Sequence, residues 1–115
     1  GICLEAGASL LLPLKVGSNR AFEIAVLGNV VNDKQALEFG LVNKICNSSQ
    51  LIDYVAAQAE KIAALPSDAV LTSKRLMKEI YQNQLNNAIE NEIVEIKRLL
   101  TTDECQTIMN NFNKT

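Results

Sequence analysis

Histidine is absent from this 115-residue sequence, and so is tryptophan. Without histidine, Ser–His and Cys–His nucleophilic catalysis cannot be built within the chain, and most transition-metal sites lose their commonest ligand. Acid–base chemistry is left to Glu, Asp, Lys, Tyr or Cys. The cysteines, Cys3, Cys46 and Cys105, are three and widely spaced, with no CxxC pair. That pattern argues against a disulfide framework or a zinc site and for free buried thiols in a reducing compartment. Aromatics make up only 4%. No apolar run approaches the roughly 18 residues of a membrane span, and no signal-peptide pattern opens the chain. A net charge of −2 and the lack of a basic stripe argue against nucleic acid as a partner.

What is present is a foldable composition, 48% hydrophobic and 21% charged. The chain reads as a series of short amphipathic helices. The spacing predicts a helix over 7–16 that Pro13 breaks or distorts, and Gly17 ends it. A second helix starts at Ser18 or Asn19 and stops at Gly28. Asn32 and Gln35 resemble a capping box for a third, stopped by Gly40. Leu41 to Cys46 alternates apolar and polar residues, which predicts a short strand. Leu51, Ile52, Val55, Ala59, Ile62 and Leu65 mark one face of a helix that Pro66 ends, and Ser67 is placed to cap the next. Asn83 to Asn87 reads as a join, followed by the stripe Leu85, Ile89, Ile93, Ile96 and Leu100. Thr101 and Glu104 form a capping box for a last helix bearing Cys105, Ile108, Met109 and Phe112.

Glu5 is the one charge in the opening run GICLEAGASLLLP. Two readings stay open from its spacing. Apolar surroundings raise a carboxyl pKa and suit a general base, with Ala6, Gly7 and Ala8 giving a substrate close approach. Alternatively, the carboxylate stands near a helix N-terminus and is stabilised there by the dipole. Glu90, Glu92 and Glu95 read as a solvated helix face beside Lys97 and Arg98. Lys74, Arg75 and Lys78 read the same way, with a phosphate contact as the alternative. Tyr54 and Tyr81 are expected in the core or at an interface. The apolar first twelve residues are expected to belong to the end of a larger core, so the chain reads as a piece of a longer protein.

Several stretches in order carry a resemblance. GICLEAGASLLLPLKVG resembles a strand-to-helix segment beside the active site of the crotonase (enoyl-CoA hydratase/isomerase) superfamily. NRAFEIAVLGNVVNDKQALEFGLVNKI resembles the family stretch ending in A-x-x-x-G-L-V, here Ala36, Gly40, Leu41 and Val42. ALPSDAVLTSKRLMKE resembles the helical stretch that follows. NEIVEIKRLLTTDECQTIMNNF is similar to the tail of the Δ3-Δ2 enoyl-CoA isomerase branch. The resemblance implies a mainly α chain, the C-terminal helical region of the α/β ββα-spiral fold, with one or two short strands. Residues 1–17 would be the end of the core (last strand edge and active-site helix) and 18–115 the helical oligomerisation region.

It also implies roles. The string Glu5-Ala6-Gly7-Ala8-Ser9 matches the isomerase branch's helix start, which puts the catalytic glutamate at Glu5. Typical hydratases carry glycine there and two glutamates upstream. The implied activity is isomerisation of a 3-enoyl-CoA to the 2-trans-enoyl-CoA in fatty acid β-oxidation. A hydratase, or a non-catalytic assembly module, is the alternative. Leu10 and Leu11 would line the acyl pocket, and Lys114 would meet coenzyme A. Apart from the coenzyme A of the substrate thioester, no cofactor or metal is implied. The expected partners are an acyl-CoA and further copies of the chain in a trimer or hexamer, in the cytoplasm or an organelle matrix. The oxyanion donors are expected upstream of Gly1, so the 115 residues alone are expected to be inactive.

Overall fold

The structure is a computed structural model that describes residues 2–112. Its elements are α1 (Ala8–Val16), α2 (Ser18–Ala25), α3 (Asp33–Glu38), α4 (Ser48–Ala63), α5 (Ser67–Glu79), α6 (Gln82–Leu100) and α7 (Asp103–Phe112). No strand forms among the described residues. The expected strand at Leu41 to Cys46 is lost for a specific reason. The Leu41 and Val42 N–H groups both donate to the Ala36 carbonyl, at 2.9 and 3.3 Å, and the Gly40 N–H donates to Leu37. Gly40 has φ 74°. This is the Schellman closure of α3, so those N–H groups are unavailable to a ladder. The A-x-x-x-G-L-V motif is thereby explained as a helix stop.

The chain divides into two units, one running up to Val30 and resuming at Asn83, the other Val31–Gln82. In the second unit, Asn32 and Gln35 form the expected capping box: the Asn32 side chain accepts from the Gln35 N–H, and the Gln35 side chain accepts from the Asn32 N–H. Pro66, with φ fixed near the helical value, stands at the N-cap of α5. Ser67 is its first residue rather than its cap. Tyr54 is half-buried, with the Lys44 ammonium 4.0 Å from its ring centroid. Arg75 pairs with Glu79 at 2.8 Å on the exposed face of α5, while Lys74 and Lys78 flank an open apolar groove with Leu65 and Met77. No described residue of this unit is buried; Ile52, Met77 and Ile80 are largely exposed.

In the first unit α1 packs against α2. Pro13 sits inside α1 without ending it. It has no N–H to give to the preceding turn, but its own carbonyl accepts the Gly17 N–H at 2.9 Å, so the helix closes normally. Val16 and Ala21 are buried, as is Cys105, which is 1% exposed. The join expected at Asn83 to Asn87 lies inside α6; the turn falls at Ile80 and Tyr81 instead. Asparagine is only mildly unfavourable in a helix, and Leu85 is anchored against Gly7, so packing overrides propensity. The cap of α7 is Thr102, one residue later than expected: its hydroxyl accepts the Cys105 N–H at 3.3 Å. The Thr101 hydroxyl is occupied, donating to the Arg98 carbonyl at the end of α6.

The N-terminus of α1 as candidate active site

Glu5 immediately precedes a turn of two left-handed residues, Ala6 with φ 59° and Gly7 with φ 79°. A non-glycine residue in that region costs about 1–2 kcal/mol, so Ala6 holds real backbone strain. Gly7 serves as N-cap of α1 and has no side chain with which to cap it. A Cβ at Gly7 would collide with the Leu85 Cδ1 methyl and lie 3.7 Å from Leu11 Cδ1. Glycine is therefore required twice, for the φ and for the close approach of α6.

The missing cap comes from α6. The Glu92 carboxylate accepts the Gly7 N–H at 2.7 Å and the Ser9 N–H at 2.8 Å. The Ser9 hydroxyl adds a further bond to it. Ala8 N–H goes to the Glu5 carbonyl at 3.0 Å, and Leu10 N–H to the Gly7 carbonyl at 3.2 Å. The first-turn donors of α1 are thus fully committed, and none is left for an anion. Glu92 is only 6% exposed. Its burial works against the charge, but the bonds from the Ser9 hydroxyl, Ser9 N–H and Gly7 N–H outweigh it and hold its carboxyl below the usual glutamate value. The helix dipole acts in the same direction.

Glu92 corrects the expectation of a solvated carboxylate face. Glu90 and Glu95 do lie exposed, Glu95 pairing with Arg98 at 2.7 Å in the open. Sequence reasoning missed Glu92, yet the signal was present. Leu85, Ile89 and Ile96 lie on one helical face, and position 92, seven residues after Leu85, falls on the same stripe. A carboxylate interrupting an apolar stripe needs donors from another element.

Glu5 itself is exposed, so the described residues do not supply the apolar enclosure that the base reading invokes. Beside α1 lies an open cavity of about 620 Å³, whose walls include Ile2, Cys3, Leu4, Ser9 and Glu92. Leu10 is half-buried, and Leu11 is at the rim of the Gly7 contact. Lys114 lies outside the described residues. The three cysteines are free thiols. Among the described residues, no three His, Cys, Asp or Glu side chains cluster as a metal site, and no helix is long and apolar enough to cross a membrane.

Comparison with known proteins extends this picture. The family model described as enoyl-CoA hydratase/isomerase matches residues 1–115. A Mycobacterium tuberculosis protein named a probable enoyl-CoA hydratase is 37% identical over 73 residues, covering 64% of this chain and 26% of its own length. The trans-2-decenoyl-[acyl-carrier-protein] isomerase of Streptococcus mutans is 28% identical over 97 residues, covering 84% of this chain and 36% of its own. The crystal structure of an enoyl-CoA hydratase/isomerase from Pseudoalteromonas atlantica superposes with a TM-score of 0.92 at 30% identity, over 99% of this chain and 46% of that one. The chain thus spans less than half the length of these relatives. The helices described above are the C-terminal helical part of their fold, and the chain belongs to the enoyl-CoA hydratase/isomerase family of the crotonase superfamily.

Proposed function

We propose that the protein containing this chain is an enoyl-thioester isomerase that moves a 3-enoyl-CoA double bond to the 2-trans position. The observation that carries this reading is Glu5, an exposed carboxylate immediately before the strained Ala6–Gly7 turn that leads into α1. A thioester carbonyl acidifies the C2 protons of a 3-enoyl chain. Glu5 removes one of them, leaving a dienolate delocalised over the carbonyl oxygen, C2, C3 and C4. The protonated Glu5 then returns the proton to C4, and the double bond forms between C2 and C3. One carboxylate serves both steps when it reaches both carbons. Stabilisation of the dienolate oxygen by backbone N–H groups is assigned to segments outside these 115 residues; the N–H groups at the start of α1 are already committed. Leu10 and Leu11 are assigned to the acyl side of the pocket and Lys114 to coenzyme A.

The isomerase named among the relatives supports this reading. A second reading, hydration of a 2-enoyl-CoA, is favoured by the relative named as a hydratase. One experiment separates them. In the whole protein, Glu5→Gln is expected to abolish conversion of 3-enoyl-CoA to 2-enoyl-CoA. A fully active Glu5→Gln protein refutes the assignment, and a protein that hydrates 2-enoyl-CoA without isomerising establishes the second reading. The trimer or hexamer and the place in β-oxidation belong to the same proposal. The exposed apolar helix faces support the assembly.

A further inference from the structure

We propose that Glu92 is a positioning residue for Glu5: its grip on the Gly7 and Ser9 N–H groups fixes the left-handed Ala6–Gly7 turn that sets where the Glu5 carboxylate stands. The inference rests on the reading of Glu5 as the base.

Helices are ordinarily capped by a Ser, Thr, Asp or Asn of their own chain neighbourhood. At α1 that option is closed, because the N-cap is a glycine at φ 79° pressed against Leu85. The cap is supplied instead from α6, 85 positions along the chain. It is a buried carboxylate, and burying a charge is costly unless donors meet its oxygens. The nearest arginine on its own helix, Arg98, is engaged by Glu95. Backbone N–H groups and one hydroxyl hold the Glu92 charge. Two charge-assisted bonds, one on the second residue of the strained Ala6–Gly7 turn and one two residues beyond it, fix backbone direction there. Glu5 is two residues before the first of them, and its own carbonyl closes the turn onto Ala8. Any relaxation at Gly7 is therefore passed directly to Glu5. A misplacement of about 1 Å in a reacting group costs on the order of a hundredfold in rate.

The test uses the whole protein with 3-enoyl-CoA as substrate. Glu92→Gln keeps the shape but offers only one acceptor oxygen to two N–H donors. It is expected to lower kcat by about ten- to a hundredfold, with KM unchanged within about twofold, in protein whose circular dichroism and unfolding transition show a folded state. Equal kcat per folded molecule, with amide exchange at Gly7 and Ser9 accelerated, overturns the proposal and leaves Glu92 a structural cap. Where Glu92→Gln does not fold, Ser9→Ala takes its place, removing only the hydroxyl bond at an exposed residue. It is expected to lower kcat about two- to fivefold at constant KM, and an unchanged kcat overturns the proposal. Glu5→Gln run alongside separates the two failures. If it is inactive while Glu92→Gln is not impaired, only the positioning role falls; if it is active, the base assignment falls and the positioning role with it.

Discussion

Gly7 shows how much a single residue settles. It combines φ 79° with a space too small for a Cβ beside Leu85, whereas Gly40 has φ 74° and open space around it. The two positions separate backbone strain from crowding. Gly40→Ala is expected to cost about 1 kcal/mol, from the left-handed backbone alone. Gly7→Ala adds overpacking against α6 and is expected to cost about 3 kcal/mol. Urea unfolding of the two variants side by side checks the order; equal losses would mean that Leu85 swings aside freely. The same residue matters for function, since a shifted Gly7 drags the Glu92 bonds and the turn bearing Glu5. The sequence reading has Gly7 giving a substrate close approach; the close approach found there is that of a side chain of α6. The contact comes from Leu85, which no local pattern joins to residue 7.

At the scale of the element, the helix starts are held by unlike devices, and each has its own signature. Asn32 caps α3 locally, so Asn32→Ala is expected to lower the stability of that segment by about 1 kcal/mol, read by helix loss in residues 33–38. Glu92 caps α1 from a distance, and its effect depends on pH. Its folded carboxyl titrates below the unfolded value of about 4.3. The stability it contributes is therefore fully present above the unfolded value and is lost as pH falls through the lower folded one. Melting curves between about pH 6 and pH 3 are expected to fall more steeply for the natural sequence than for Glu92→Gln; parallel curves would show that Glu92 carries no such linkage. The helices, the Asn32 box and the Gly17 and Gly40 stops were readable because caps and periodicity act within a few residues; the stop expected at Gly28 comes earlier, α2 ending at Ala25 with Val26 as its C-cap, whose N–H donates to the Phe22 carbonyl. The strand at Leu41 to Cys46 was misread because alternation says nothing about where N–H groups go, and here Ala36 takes them. The join at Asn83 to Asn87 was misread because a weak propensity was set against packing that lies far away in sequence. The reading of Glu5 as a base came only from the ordered motifs around it; its spacing alone favoured a helix-start carboxylate. Glu92, buried and far from its partners in sequence, looked like one of three surface glutamates.

At the scale of the whole molecule, the apolar faces outnumber the places where they are buried. The stripe on α4 leaves Ile52 75% exposed, and at the end of α7 Phe112 is 80% exposed. Exposed apolar faces of this kind mark surfaces that associate. The 115-residue chain is therefore expected to self-associate, and sedimentation velocity over a range of concentrations reads this directly. Because apolar burial strengthens on warming from the cold, association is expected to be greater at about 25 °C than at 5 °C. Salt should weaken it little, since the two exposed ion pairs, Arg75–Glu79 and Arg98–Glu95, lie within their own helices. A chain that stays monomeric at high concentration would show that these faces do not drive assembly. The trimer reading would then lose its physical basis, while the Glu5 and Glu92 geometry, held within one unit, would stand unchanged.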